Sequence, residues 1–299
     1  MRTDTGGFIA SAGLESYYAH GFLTHALKPG ASHQQAVVQR TIDFVEFSLT
    51  NYVHSVLPFL HAAFHVTQSL AHDIPRALRA LAWLDAQHHT LLLNHVARRA
   101  SLIQGSALLS LYSKSFAQRD PAAHALVDRL RIQARRGCAK LNSGTTALQP
   151  EAEELAGHLA ICAGVFAAVV GLSAERMLRQ NLFLQARNIM SCSIRLNTIG
   201  PYMAHQLLAS QLHELVARQF AALDRDVCQH LYDQALRTSE AETSPVPRPS
   251  SDPPRQSVWD WDWDDPARQT PTCTPSTTWP LGEIIQARHD QLHSRLFNS

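Results

Sequence analysis

The feature that most constrains this chain is an uninterrupted apolar run at residues 159–172, with the sequence LAICAGVFAAVVGL. It contains no charged side chain and no polar periodicity, so a helix formed here must be covered by protein on nearly all sides. The run is shorter than the ~20 apolar residues that a bilayer crossing requires, and Glu151, Glu153 and Glu154 precede it. The pattern predicts a buried central helix and no membrane span.

A second helix is predicted to follow directly. Gly171 is suited to closing the first helix in the left-handed conformation, and Ser173 to capping the next, which extends to about residue 196. Two stripes recur in it at helical spacing, one facing the core (Leu178, Leu182, Ala186, Ile189, Ser193) and one polar (Asn181, Gln185, Asn188, Cys192, Arg195). The polar stripe fits an ordinary solvated face, or a surface held for another protein or for a wet passage.

Helical periodicity covers most of the remaining chain, and strand signals are absent. Residues 32–35 form a capping box that opens an amphipathic helix, which Pro58 must kink or end. Further helical patterns occur at residues 11–18, 59–70, 87–116 and 122–136, and at 202–236, where one long helix is predicted. The fold predicted is all-α, a single multi-helix orthogonal bundle around the buried central helix.

The composition changes sharply at residues 239–280, where prolines punctuate serine, threonine and aspartate. Such a stretch buries too little apolar surface to offset its ordering entropy, which predicts disorder. Its WDWDWDD cluster at 259–265 fits docking onto a basic groove, or an insertion without an essential role. A short helix and tail follow, with Ile285, His289, Leu292 and Phe297 as anchors. The predicted organisation is a helical domain (1–238), an insert (239–280) and a tail segment (281–299).

Global charge and cysteine usage narrow the class of protein. A formal charge of +1 and a pI near 7.8 give no general attraction to nucleic acid. The most basic run contains Arg129, Arg131, Arg135 and Arg136, a pattern more typical of a solvated face than of a docking site. Five scattered cysteines without a C-x-x-C pair indicate reduced thiols, and no secretory signal pattern opens the sequence. A cytoplasmic location is therefore predicted.

Seventeen histidines raise the alternative of a metal enzyme. His61 and His65 lie one helical turn apart, and the pairs His72-Asp73 and His289-Asp290 would suit a helical metal-dependent phosphohydrolase. No cysteine or further carboxylate stands at an offset that completes a ligand set. The sequence therefore assigns no metal ligands, and the phosphohydrolase remains the alternative function.

Three segments resemble the UreF family of urease accessory proteins. Residues 6–15 are similar to the family's opening GGF-x-x-S-x-GLE, and residues 191–200 (SCSIRLNTIG) to its small-residue stretch with a basic residue. Residues 289–297 resemble its terminal HE-x-x-x-SRLF, although Asp290 replaces the glutamate. The matches occur in the family's order and bracket nearly the whole chain outside the insert. Family members usually carry a further apolar helix before the first motif, where this sequence has six residues ahead of Gly7.

The resemblance implies an all-helical, non-catalytic scaffold that dimerises and holds no stably bound cofactor. Such proteins bind UreD, also called UreH, and through it recruit the GTPase UreG. The assembly delivers nickel to apo-urease and couples GTP hydrolysis to metal release; neither nucleic acid nor membrane is an expected partner. The residues to which the resemblance assigns partner binding are Gly6, Gly7, Phe8, Ser11, Glu15, Arg195, Arg288, His289, Ser294, Arg295, Leu296 and Phe297.

Overall fold

A computed structural model describes residues 11–24, 32–116, 121–142, 155–240 and 273–297. Within these ranges the regular structure consists of twelve α-helices and one 3₁₀ helix, with no strand. The helices are α1 (Leu14–Ala19), α2 (His33–Ser55), α3 (Leu57–Ser69), α4 (Ile74–Leu91), α5 (His95–Ser115), α6 (Pro121–Asn142), α7 (Leu159–Val169), α8 (Ala174–Arg195), α9 (Pro201–Ala209), α10 (Gln211–Ala221), α11 (Arg225–Glu240), α12 (Pro280–Ala287) and the 3₁₀ helix Arg288–Gln291. The all-α prediction is confirmed.

The apolar run forms α7, which is the buried central helix that was predicted. Its closest neighbour is α3, and the two backbones meet at Gly164, where an added Cβ would lie 2.5 Å from the carbonyl oxygen of Leu60. Helices α3 and α7 contribute side chains to both core clusters, one with α2, α8 and α10 and the other with α4, α5, α6 and α11. No helix in the described ranges combines the length and apolarity that a membrane crossing requires.

The junction between α7 and α8 follows the sequence prediction. Gly171 has a φ of +80°, the left-handed conformation that glycine adopts without strain. The hydroxyl of Ser173 accepts a hydrogen bond from the amide of Arg176 at 3.4 Å and so caps α8. All five residues of the predicted core stripe of α8 are buried.

The start of α7 is fixed by a buried carboxylate on α4. The Asp85 side chain accepts hydrogen bonds from the amides of Ala156, Gly157 and His158 at 2.6, 3.0 and 2.8 Å. The turn needs Gly157, whose φ is +87°. Burial raises the pKa of Asp85 to about 6, although the three amides act in the opposite direction.

A chain of polar side chains continues from this turn. The Nε2 of His158 lies 3.0 Å from the Nδ1 of His89, and its Nδ1 lies 3.1 Å from the Ser101 hydroxyl. Burial lowers the pKa of His158 to about 3, so the ring is neutral near pH 7. The turn before α7 is therefore held by polar contacts to both α4 and α5.

Two predicted helices are divided in the structure. The 87–116 pattern spans the end of α4 and all of α5, because the Asn94 side chain accepts from the amides of Val96 and Ala97 and starts a new helix. The long helix predicted at 202–236 is wrong, since α9, α10 and α11 occupy it. Ser210 leaves helical angles between α9 and α10, and the Asp224 carboxylate caps α11.

The capping box predicted at residues 32–35 is also wrong, because the expected hydrogen bond from the Ser32 side chain does not form. Ser32 occupies the N-cap position of α2 in an extended conformation, but its hydroxyl makes no capping hydrogen bond. Helix α2 nevertheless starts there and ends at Ser55, and Pro58 lies in the first turn of α3. The predicted break at Pro58 is therefore confirmed as a new helix start.

The described structure includes residues at both ends of the predicted insert. Ser239 is 1% exposed at the end of α11, where Arg79 donates to its carbonyl oxygen. Residues 273–279 lie along α2, and the amide of Thr278 donates to the Asn51 side chain at 2.8 Å. The Trp279 ring packs edge-on against Phe44. Residues 241–272, including the 259–265 cluster, lie outside the described residues.

Candidate partner-binding site

Residues from opposite ends of the sequence meet at the carboxylate of Glu15, in the first turn of α1. One of its oxygens lies 2.7 Å from the Nε2 of His289, and the carboxylate also accepts hydrogen bonds from the amides of Leu296 and Phe297. Glu15 is 5% exposed and His289 is fully buried. These four residues form what we call the terminal latch.

Neighbouring contacts extend the terminal latch. The Ser16 hydroxyl donates to the Ile285 carbonyl oxygen at 2.6 Å, tying α1 to α12. The Phe297 side chain is 4% exposed and belongs to the same core cluster as α8. The guanidinium of Arg195, at the end of α8, lies 5.7 Å from the centre of the Phe297 ring. The described parts of the three segments that resemble the UreF family, at residues 6–15, 191–200 and 289–297, therefore meet in one region of the fold.

An ion-pair network fixes the same tail from the outside. Arg99 on α5 donates to both oxygens of Asp290 at 2.9 Å, and Arg295 donates to one of them at 3.1 Å. The hydrogen bonds from Arg99 lower the pKa of Asp290 to about 2. The tail is thus held both by the buried Glu15 and by a surface pair with α5.

The structure separates the predicted site residues into two groups. Ser11, Glu15, His289 and Phe297 are buried and form hydrogen bonds within the chain. Arg195, Arg288, Ser294, Arg295 and Leu296 are exposed. Gly6, Gly7 and Phe8 lie outside the described residues. The buried group positions the segment that carries most of the exposed group.

Exposed apolar side chains accompany that second group. Leu281 and Ile284 on α12 are 48% and 60% exposed, and Leu296 is 61% exposed. Leu281 and Ile284 share one side of α12, since they are separated by three positions, and Arg288 follows directly after the helix. We call the surface of Leu281, Ile284, Arg288, Arg295 and Leu296 the tail face. The sequence analysis did not identify Leu281 and Ile284 as surface residues, because apolar side chains at these positions are equally compatible with a buried side of the helix.

Beside the tail lies a cavity of about 180 Å³ between α2, α5, α7, α8 and α12, with both polar and apolar side chains in its lining. Gln185 and Asn188 from the polar stripe of α8 line it, together with Glu283 of α12. Asn51 donates to the Glu283 carboxylate at 3.3 Å, and burial raises the pKa of Glu283. The polar stripe is therefore partly enclosed and is not an ordinary solvated face along its whole length.

The histidine pairs have other partners in this fold. Asp73 caps α4, and both His289 and Asp290 belong to the tail contacts. His61 and His65 have ring centres 4.3 Å apart, and burial lowers the pKa of both. Across the described ranges, no group of three or more His, Cys, Asp or Glu side chains is placed to hold a metal ion.

Fold and site together define an all-α domain closed by its own C-terminal segment. The UreF family model matches residues 38–213. Urease accessory protein 6 of Cryptococcus neoformans var. grubii is 30% identical over 99% of this chain and 93% of its own length. Urease accessory protein F of rice, from subspecies indica and japonica, is 27% identical over 70% of this chain and 64% of its own length.

The chain belongs to the UreF family of urease accessory proteins. Its role therefore lies in urease maturation, in concert with other urease accessory proteins and urease. The similarity to the Cryptococcus protein extends over nearly the whole chain and so includes both Glu15 and the C-terminal residues of the terminal latch. The family match at 38–213 includes Arg195 on α8 but none of the terminal latch residues.

Proposed function

We propose that this chain is a non-catalytic, homodimeric scaffold that binds UreD (UreH), recruits the GTPase UreG and supports GTP-dependent insertion of nickel into apo-urease. Family membership supports the pathway, and the tail face supports the binding role. The observation that carries the proposal is that buried Glu15 holds the backbone of residues 296 and 297, so that Leu296 projects from a fixed segment. Arginine is enriched among the side chains that dominate interface energetics, and a preorganised segment loses less conformational entropy on binding.

The proposed compartment is the cytoplasm. All five cysteines are free thiols in the structure, which fits a reducing environment. Nickel is cargo of the proposed assembly, so no resident ligand set is assigned to this chain. Co-purification of the chain with UreD and UreG from one cell tests the proposed partners.

Replacing Leu296 with aspartate tests the tail face directly. Leu296 is 61% exposed and the Glu15 carboxylate holds its backbone amide, so the variant should keep its melting temperature. Burying an aspartate in an apolar contact should weaken UreD binding about tenfold or more. A titration of the purified proteins measures this. Leu111→Asp, at a residue that is 46% exposed on α5, is the matched control and should bind normally.

Arg195→Ala separates an interface role from a structural one. The Arg195 side chain is exposed and lies against the Phe297 ring, so its removal should cost less than about 1 kcal/mol of stability. If the guanidinium serves the complex, urease activation should fall while thermal melting barely changes. A large loss of stability with a proportionate loss of activation would contradict the interface role.

The alternative, a helical metal-dependent phosphohydrolase, lacks a favourable observation in the described ranges. Its two His-Asp pairs are occupied by a helix cap and by the tail contacts. Stoichiometric metal in protein purified without added metal, together with metal-dependent phosphate release, would favour the enzyme over the scaffold.

A further inference from the structure

Helices α5 and α6 carry a concentration of positive charge that the proposed function does not use. Together they contain eight Lys and Arg residues and one acidic residue, Asp128, whereas the whole chain has a formal charge of only +1. Asp128 pairs with Arg131. Lys114, Arg129, Arg135 and Arg136 are exposed, and within the described ranges they have no ion-pair partner.

These charges share one surface with apolar side chains. Helices α5 and α6 run antiparallel, because Tyr112 stacks on His124 at one end while Gly105 and Ala134 both lie against Gly157 at the other. Leu109 and Tyr112 of α5 and the buried apolar residues of α6 belong to one core cluster, so the outer sides of the two helices lie next to each other as one layer. Ile103 is 56% exposed and Ile132 is 42% exposed in that layer. We call Ile103, Lys114, Arg129, Ile132, Arg135 and Arg136 the basic face.

We propose that the basic face binds the acidic, tryptophan-rich segment of this same chain, residues 259–265. The segment has four aspartates, three tryptophans and no basic residue. Arginine guanidinium groups pair with carboxylates through two parallel hydrogen bonds and also stack on aromatic rings. A surface of arginines and isoleucines therefore complements a sequence in which Trp and Asp alternate.

Chain length permits this contact within one molecule. Glu240, the last described residue before the segment, pairs with Arg76 at the start of α4. The turn before α4 borders the first turns of α6, since His72, Ala123 and Leu126 line one cavity. Cys273 lies eight positions after Asp265 in the sequence, and an extended chain of that length spans up to about 27 Å.

Cys273, where the described chain resumes after the segment, is also close enough to α6 for this contact. Cys273 lies beside Pro58 near the start of α3, and Gln68 near its end borders α6. Ten residues of helix separate these positions, a rise of about 15 Å. The eight-residue connection is therefore long enough to bring residues 259–265 to α6.

Zero-length carbodiimide cross-linking of the full chain tests the contact. The sequence contains only three lysines, Lys28, Lys114 and Lys140, and two of them lie on α5 and α6. We expect mass spectrometry to find amide links from the aspartates of 259–265 to Lys114 or Lys140. The double variant Arg129→Glu with Arg136→Glu should lower their yield about tenfold, as should 1 M salt.

The control variant Arg176→Glu with Arg237→Glu changes the same charge at exposed positions on α8 and α11 and should leave the yield within about twofold. Three outcomes would overturn the proposal: no link to Lys114 or Lys140, equal linkage to Lys28, or a yield that the Arg129 and Arg136 changes do not alter. Links found only between copies, in a mixture of ¹⁵N-labelled and unlabelled chains, would also overturn it.

Discussion

Glu15→Ala should lower the free energy of unfolding by about 3–5 kcal/mol, because it removes the partner of a buried histidine and of two backbone amides at once. In a chain of this size that loss corresponds to a fall of about 10 °C in melting temperature. The tail should also detach more often. Trypsin should then cut faster after Arg288 and Arg295, each of which directly precedes a residue that Glu15 holds.

Glu175→Ala is the matched control for this substitution. Glu175 pairs with Arg179 on the surface of α8, where both side chains are exposed, so its loss should cost under about 1 kcal/mol. Thermal melting and timed trypsin digestion of the two variants provide the comparison. An unchanged melting temperature and unchanged cleavage in Glu15→Ala would mean that the terminal latch does not hold the tail.

Asp85→Ala should produce the second large loss, about 3 kcal/mol at pH 7. The substitution leaves three buried amides without an acceptor, each costing about 1–3 kcal/mol. It also removes a carboxylate whose ionised form is disfavoured by burial, as the raised pKa of about 6 indicates, and this returns part of the loss. The lost acceptors outweigh this relief. Urea unfolding with an unchanged midpoint would contradict the prediction.

Asp85→Asn isolates the titration of this group, because asparagine keeps an acceptor oxygen and carries no charge. The folded pKa of about 6 is above the reference value of 3.8, so the native state holds the proton more tightly than the unfolded chain. The carboxyl group's contribution to stability is therefore full below about pH 4 and declines as the pH rises through 6. Between about pH 4 and pH 6, the wild-type protein should lose stability relative to Asp85→Asn. Urea unfolding of both proteins at these two pH values measures the difference.

The sequence predicts the helices better than their ends. Periodicity identifies the fully apolar α7 and the core stripe of α8, because each pattern depends only on neighbouring residues. The breaks at Asn94, Ser210 and Asp224 interrupt periodic stretches without a glycine or proline to mark them. Boundaries that depend on a single residue, through a side-chain cap at Asn94 and Asp224 or through a change of backbone angles at Ser210, are therefore the ones that periodicity misses.

Long-range polar contacts leave no comparable pattern. Asp85 and the 156–158 turn are about seventy residues apart, and nothing in the sequence around either predicts their contact. For the terminal latch, the family resemblance identified Glu15, His289 and Phe297 but implied partner binding. The structure adds that these three are buried together, whereas Arg195, Arg295 and Leu296 are exposed.

The most direct test of the proposed function is the nickel content of urease purified from cells that lack this chain. Urease made without it should be largely nickel-free and inactive, although its subunits should assemble and UreD and UreG should be present. Expression of the wild-type chain should restore nickel and activity together, and Leu296→Asp should restore little of either. Fully loaded, active urease in the absence of the chain would contradict a role in nickel insertion.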